Sequence, residues 1–416
     1  MAKFCLGRRS ATLFSRCSPS STLLPPPCLK QHPRFLQTSI ANDQSVVPSF
    51  AFAFDIDGVL LRSSKPLPQA HRTLSYLQTH RIPFILLTNG GGKSEQERVD
   101  QLSQLLDVSL DTSMFVQSHT PFAELANGTG KVNLKDKCIL VVGGAADRCR
   151  RIAEGYGFTN VVTPSDIITA YPAIWPFVYL DHHGPFARPL VPSVVSNQQS
   201  SGHPTPKVDA IMVFNEPRDW ALDIQLIIDL LLSIGGHLGT LSTKNGDSNL
   251  PNQGYLQDGQ PELYFSNPDL LWAASYHLPR LGQGGFQAAL EGVFNAITGG
   301  PANNVHLHRN LFGKPTHATF AFAENRLSQH RTALQGSDAG KLKSVYMVGD
   351  NPESDIRGAN EYRSPVGSRW DSVLVRSGVY RGGKPAYEPK VIVQDVWDAV
   401  RYGLGKEGVN VDEMAD

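Results

Sequence analysis

The segment Phe52-Ala53-Phe54 runs directly into Asp55-Ile56-Asp57-Gly58, and it restricts the possible folds of this chain more than any other stretch. An apolar run stopped by glycine reads as a buried strand. Strand side chains alternate between faces, so Asp55 and Asp57 are expected on one face at the strand's carboxyl end. Two carboxylates at roughly 4 Å and an effective dielectric of about 20 repel by on the order of 4 kcal/mol. Such a pair persists where a cation or a reaction needs it, and open α/β sheets collect their ligands at that end.

The rest of the chain repeats the theme. From Ser49 the pattern is strand, helix, strand: FAFDID, HRTLSYLQTH, PFILLTN. Similar apolar runs follow in KCILVVGG, VDAIMVF and SVYMVGD. Their alternation with helical patterns predicts parallel sheets covered by helices. The 416 residues suit two domains. Residues 183–206 and 243–260, rich in Pro, Gly, Ser, Asn and Gln, read as surface loops or insertions without a core of their own. The most apolar stretch, IQLIIDLLLSIGG, is interrupted by Asp229 and is too short to span a bilayer, so it reads as a buried helix.

Formal charge is zero, which argues against nucleic acid as a partner. That zero conceals an asymmetry. No acidic residue precedes Asp43, whereas Lys3, Arg8, Arg9, Arg16, Lys30 and Arg34 are basic. Ser, Leu and Pro are abundant in the same segment. Residues 1–43 therefore read as a mitochondrial transit peptide, a disordered basic tail being the alternative; RFLQTS resembles the two-step processing sites of mitochondrial precursors, which implies a mature chain starting near Gln44, in the matrix. Removing it takes six of 38 bases and one of 38 acids, leaving 32 against 37, a net of −5. Cys138 and Cys149 lie outside it, without CxxC spacing, and read as core or surface thiols.

Three more elements could serve a site around the acid pair. PFILLTNGGG ends in Thr88 and Asn89, where a hydroxyl and exposed amides suit a phosphoryl group, although an ordinary strand-to-helix turn would look the same. LFGKPT lacks the upstream glycine of an NTPase loop, so Lys314, between Gly313 and Pro315, reads as a single positive charge aimed at a substrate anion, although in isolation an ordinary surface lysine is the better reading. SVYMVGDNPESDIRGAN supplies Asp350 and Asp355; helix capping by Asp355 or Ser354 could explain one acid, but less easily the Asp350 that ends the apolar strand.

DxDGV, hhTN, GKP and GDNxxSD, in that order, resemble the four motifs of the haloacid dehalogenase-like hydrolases, over most of residues 50–400. Only 29 residues separate Gly58 from Thr88, while 225 separate Thr88 from Lys314. That spacing resembles the class II arrangement with an α/β C2-type cap inserted between the second and third motifs. The implied fold is α/β: a Rossmann-like doubly wound parallel sheet core at 44–112 and 306–416, with the cap at 113–305. YFSNPDLLW and LPRLGQGGFQAALEGV resemble the subgroup of pyridoxal and nitrophenyl phosphatases. VFNEPRDWALDIQLIIDLLLS, with the leader, resembles the mitochondrial cat eye syndrome critical region hydrolases, some of whose fungal relatives are linked by name to phospholipid synthesis.

The resemblance implies a magnesium-dependent phosphatase acting on a small or lipid-derived phosphomonoester. It assigns Asp55 as nucleophile and Asp57 as acid/base. Thr88, Asn89 and Lys314 would hold the phosphoryl group. Magnesium would sit on Asp55, the Asp57 backbone carbonyl and Asp350, with Asp355 as an outer partner. The rival reading is a catalytically idle binding or scaffold protein, whose expected mark is a lost motif acid; none is lost. A lipid-synthesis transferase would need several spanning helices and a longer spaced-aspartate motif. Self-association is left open. Asp181-His182-His183 reads as solvated loop, His306 and His308 as one face of a strand. Trp175, Trp220 and Trp272 read as packing residues.

Overall fold

Large and small side chains alternate along the first strand, FAFAF, and this decides how its sheet is covered. Phe50, Phe52 and Phe54 enter one hydrophobic cluster, while Ala51 and Ala53 enter another. A parallel strand is buried on both faces, so helices must cover both. The computed structural model describes residues 48–409 apart from 129–131, 178–182, 191–194, 197–204, 273–275 and 337–339. The expected leader, residues 1–43, and the pair Asp181-His182 lie outside the described residues.

In chain order the first strands are β1 (Phe50–Phe54), β2 (Phe84–Leu87) and β3 (Phe115–Val116). Next come β4 (Cys138–Val142), β5 (Asn160–Val162), β6 (Ala210–Val213), β7 (Glu262–Phe265) and β8 (Asn310–Leu311). The last are β9 (Ser344–Gly349), β10 (Arg369–Val375) and β11 (Val391–Val393). One six-stranded sheet has the order β11-β10-β9-β1-β2-β3 and is parallel throughout. A second, five-stranded parallel sheet has the order β8-β7-β6-β4-β5.

Helices α1 (Ala70–Thr79) and α2 (Glu95–Leu106) cover the phenylalanine face of the first sheet, joined by the C-terminal helix Val396–Lys406. Phe52 packs on Tyr346 of β9, its register partner, with ring centroids 5.4 Å apart. The alanine face receives the helix His317–Gln335 through Phe320, Ala323 and Leu327. Small alanines let that helix approach closely.

The second sheet is built from the inserted residues. The apolar stretch at Ile224 is indeed a buried helix, Trp220–Leu231, and packs with Gln283–Thr298 on one face. Helix Arg148–Tyr156 packs on the other. Sheet membership moves both expected boundaries. Phe115–Val116 pairs with Leu86–Leu87, so the first sheet extends past residue 112. Asn310–Leu311 pairs with Tyr264–Phe265, so the second sheet reaches beyond 305.

Residues 243–260 are irregular and form no cluster of their own, although Tyr255 and Leu256 dock on the second sheet's cluster. Two smaller expectations change. His306 and His308 precede β8 rather than lying in it, and both are exposed. Trp175 and Trp220 pack against the cluster as expected, whereas Trp272 is exposed.

Asp223, on the buried face of Trp220–Leu231, gives a stability test. Burial, reinforced by Asp219, pushes its carboxyl up to about 8. An unfolded carboxyl ionises near pH ~4. Between these values the folded chain holds a proton that the unfolded chain has lost, so stability falls as pH rises and levels off above about 8. Asp223→Asn is expected to flatten that slope and raise the melting temperature at pH 8 by about 5 °C or more. Parallel pH–melting curves for variant and parent would contradict this assignment.

Candidate active site

Strand order reverses between β1 and β9, and the crevice outside such a point is where open α/β sheets bind ligands. Three of the sequence motifs end strands at this edge. Asp55 follows β1, Thr88 and Asn89 follow β2, and Asp350 follows β9. The remaining motif, GKP, follows β8 of the second sheet, so Lys314 arrives from the inserted part of the chain.

The Asp55 N–H continues the ladder by donating to the Val348 carbonyl at 2.9 Å. The chain then turns, with Val59 and Leu60 N–H donating to the Ile56 carbonyl at 3.3 and 2.9 Å. The strand ends at Phe54, so the expected alternation does not carry through to Asp57. Asp55 is buried, whereas Asp57 sits exposed in the turn. Gly58 makes the turn feasible. Its φ is +94°, and a Cβ there would lie 2.2 Å from Asp350 Oδ2.

Lys314 is fully buried and its ammonium is the hub of the site. Nζ lies 2.5 Å from Asp55 Oδ1 and 2.7 Å from Asp355 Oδ1, and donates to the Leu87 carbonyl at 2.9 Å. The sequence suggested a lysine aimed at substrate; it is also the counter-ion of two buried carboxylates. Burial alone would lower its pKa, but Asp355 and Asp55 outweigh that and hold it above the ordinary lysine value.

Asn89 locks Lys314 in place. Its Nδ2 donates to the Lys314 carbonyl at 2.9 Å, and its Oδ1 accepts the Lys314 N–H at 2.7 Å. The same Nδ2 lies 3.1 Å from Asp269 Oδ2. Both ends of the Asn89 amide are thus used within the protein, so this side chain positions Lys314 instead of offering itself to phosphate. Thr88 is buried, and its hydroxyl accepts the Gly90 N–H at 3.0 Å. Asp269 itself was not singled out from the sequence. Burial raises its carboxyl to about 6, and its only signal was a place in YFSNPDLLW.

In the last motif, Asn351 rather than Asp355 or Ser354 caps the helical turn Pro352–Ile356, accepting the Glu353 N–H at 2.9 Å. The turn's cap therefore does not account for Asp350, and Asp355 serves it with one oxygen only. Asp350 Oδ2 accepts the Val379 N–H at 2.6 Å. Asp355 Oδ2 accepts the Asn351 N–H at 3.0 Å. Asp355 Oδ1 is enclosed beside the ammonium but receives no aligned hydrogen bond.

Carboxylate oxygens of Asp55, Asp350 and Asp355 all lie within 4.8 Å of one another. The Asp57 side chain, expected among the metal residues, is outside this group; the backbone-carbonyl role given to it does not depend on its side chain. Against three carboxylates stands one ammonium, leaving a formal excess of two negative charges. Burial, with Asp355 adding, pushes Asp350 up to about 7. Burial also holds Asp55 well above the carboxylate range, helped by Asp355 and Asp350 and opposed by Lys314. Although its side chain reaches the surface at the turn, desolvation of its carboxyl raises Asp57 as well, with Arg98 and Lys314 opposing. An all-oxygen donor set with an unsatisfied buried oxygen and two surplus charges fits a hard divalent cation.

That fit has a measurable consequence. A cation here must displace protons from Asp350 and its neighbours, so its affinity should rise as pH rises through about 7 and plateau above. Calorimetric titration of Mg²⁺ in buffers of different ionisation heat should detect proton release near pH 6. Asp350→Asn should weaken binding at least about tenfold. Affinity independent of pH would argue against the carboxylate cluster as the site.

Over most of its length the chain is similar to known proteins. Residues 52–159 match the model of a haloacid dehalogenase-like hydrolase family, and residues 311–399 match a second, related hydrolase model. A mitochondrial hydrolase of Saccharomyces cerevisiae is 39% identical over 384 residues, covering 87% of this chain and 97% of that protein. A cardiolipin synthase/mitochondrial hydrolase fusion protein of Schizosaccharomyces pombe is 38% identical over 372 residues. There the match covers 89% of this chain but only 55% of the fusion protein. The structure of a glycerol phosphate phosphatase from Mycobacterium tuberculosis, in complex with calcium, has a TM-score of 0.51 and 17% identity, covering 84% of this chain and 74% of that one. At that identity the likeness is one of fold.

Proposed function

The chain belongs to the haloacid dehalogenase-like hydrolases, and on that premise we propose that it is a magnesium-dependent phosphatase of phosphomonoesters working through an aspartyl-phosphate. The observation that carries the proposal is the ion-paired Asp55, held 2.5 Å from a buried lysine that arrives from the inserted domain. An idle scaffold would have no use for a buried lysine and three buried carboxylates at one sheet edge, an arrangement that is expensive to retain.

Asp55 is assigned as the nucleophile. One carboxylate oxygen forms a bond to phosphorus while the ester P–O bond breaks, and the leaving oxygen takes a proton from Asp57. Desolvation raises the Asp57 carboxyl above its ordinary value, the direction a proton donor requires. Asp57 then takes a proton from water as that water attacks phosphorus, breaking the Asp55–phosphorus bond and releasing phosphate. Lys314 and the Thr88 hydroxyl hold the phosphoryl oxygens and offset their charge. As the phosphoryl group arrives, Lys314 exchanges part of its attraction to Asp55 for attraction to phosphate.

Asp55, Asp350, Asp355 and the Asp57 carbonyl would hold Mg²⁺, directly or through water. When bound, the ion supplies charge neutralisation between nucleophile and phosphate. The inserted domain excludes water and reads the leaving group. Asp269, joined to Lys314 through Asn89, is the inserted domain's polar contribution beside the site.

Both relatives are named mitochondrial, in agreement with the basic, acid-free leader. The matrix is the proposed compartment. The relative fused to a cardiolipin synthase supports an ester drawn from glycerophospholipid metabolism.

Asp55→Asn should reduce phosphate release by at least about 10⁴-fold with the melting temperature nearly unchanged. Asp57→Asn should reduce it by about 10²–10⁴-fold, with esters of poor leaving groups affected most. The assay is a panel of phosphomonoesters with Mg²⁺, and activity retained in Asp55→Asn would refute the nucleophile.

A further inference from the structure

Six apolar side chains within one short stretch stand half out of the protein. Leu270, Leu271, Trp272, Tyr276, Leu278 and Leu281 are each between 49% and 56% exposed. Isolated surface leucines need no explanation, but a run of this size marks a contact surface. Leu271 and Trp272 pair antiparallel with Leu281 and Arg280, forming a two-stranded ribbon. The root of the ribbon is fixed: Gly282 N–H donates to the Leu270 carbonyl at 2.8 Å and Gly284 N–H to the Asp269 carbonyl at 2.9 Å. Asp269, the residue just before Leu270, is the one hydrogen-bonded to Asn89 beside Lys314. The apolar ribbon therefore stands next to the phosphoryl site.

Its charge is as informative as its hydrophobicity. No acidic residue occurs from Leu270 to Leu290, whereas Arg280 carries a permanent positive charge. The Arg280 guanidinium lies 4.6 Å from the centre of the Tyr276 ring. Leucines flanked by Trp, Tyr and Arg form the composition that settles in a membrane's headgroup layer, with aliphatic tips in the acyl region and the cation among phosphates. A second copy of the ribbon is a poor complement. Isologous pairing would bring like positive charge together across the axis.

We propose that this ribbon docks the protein on the surface of an anionic phospholipid bilayer, placing the mouth of the phosphoryl site at the lipid headgroups. No membrane crossing is involved; among the described residues no helix is long and apolar enough for that. Docking does not depend on the phosphatase reading, and the two fail separately.

The test compares the full chain with Trp272→Glu/Leu281→Glu by co-sedimentation with phosphatidylcholine vesicles, with and without phosphatidylglycerol. Comparing variant with parent cancels any binding by the basic leader. The parent should bind the phosphatidylglycerol vesicles, and the double variant should bind at least about tenfold more weakly. Hydrolysis of soluble 4-nitrophenyl phosphate and the melting temperature should stay unchanged. Trp272→Ala/Leu281→Ser provides a milder pair should the charged variant unfold, with binding expected between the two. Equal vesicle binding by parent and variants would overturn the proposal, as would no binding by the parent. Self-association of the parent that the substitutions abolish, without vesicle binding, would assign the ribbon to a second copy instead. Absent hydrolysis alongside normal docking would count against the phosphatase reading alone.

Discussion

The Lys314 ammonium, enclosed between Asp55 and Asp355, is the interaction on which the rest of the site depends. Removing it would leave two buried carboxylates with no counter-charge, a change that typically costs about 3–5 kcal/mol. It also ties the parts of the chain together. Its backbone leads out of the second sheet, its side chain ends under the first, and Asn89 clamps its peptide from the edge of β2. One buried cation therefore organises motifs that lie 259 residues apart in sequence.

The apolar framework makes that arrangement affordable. Phenylalanines on one face of β1 and alanines on the other let helices cover both sides, so the strand's carboxyl end is the one place where its polar groups can gather. Close backbone approach keeps room there for Asp350. A Cβ on Gly378 would fall 1.8 Å from Asp350 Oδ2, and one on Gly349 would fall 2.2 Å from Asp355. The glycines are what allow so many carboxylates to crowd into one buried pocket.

Much of this was legible in the residues. The parallel α/β pattern came through because both-face burial writes continuous apolar runs into β1, β4, β6 and β9. Asp55, Thr88, Lys314, Asp350 and Asp355 were each visible as polar residues at the end of such a run or within a short motif. Other features were not visible, for identifiable reasons. The split of Asp55 from Asp57 arises because the strand ends at Phe54, whereas period-two alternation assumes that it runs through Asp57. Asn89 as a clamp on Lys314, and Asp269 beside it, require a contact across the inserted domain that local spacing cannot express. Two-residue strands such as β3 and β8 carry almost no periodic signal, so the sheet boundaries shifted. The exposed Trp272 looked like core because composition alone does not say which face of a ribbon is covered.

The central claim is that Asp55 becomes covalently phosphorylated within this cluster. Rapid-quench mass spectrometry of the Asp57→Asn variant, mixed with an activated phosphomonoester and Mg²⁺, tests it most directly. Close to one phosphoryl group per chain is expected on the peptide containing Asp55, and none without the metal. Phosphate release with no covalent phosphoenzyme, or a phosphoryl group on another residue, would contradict it.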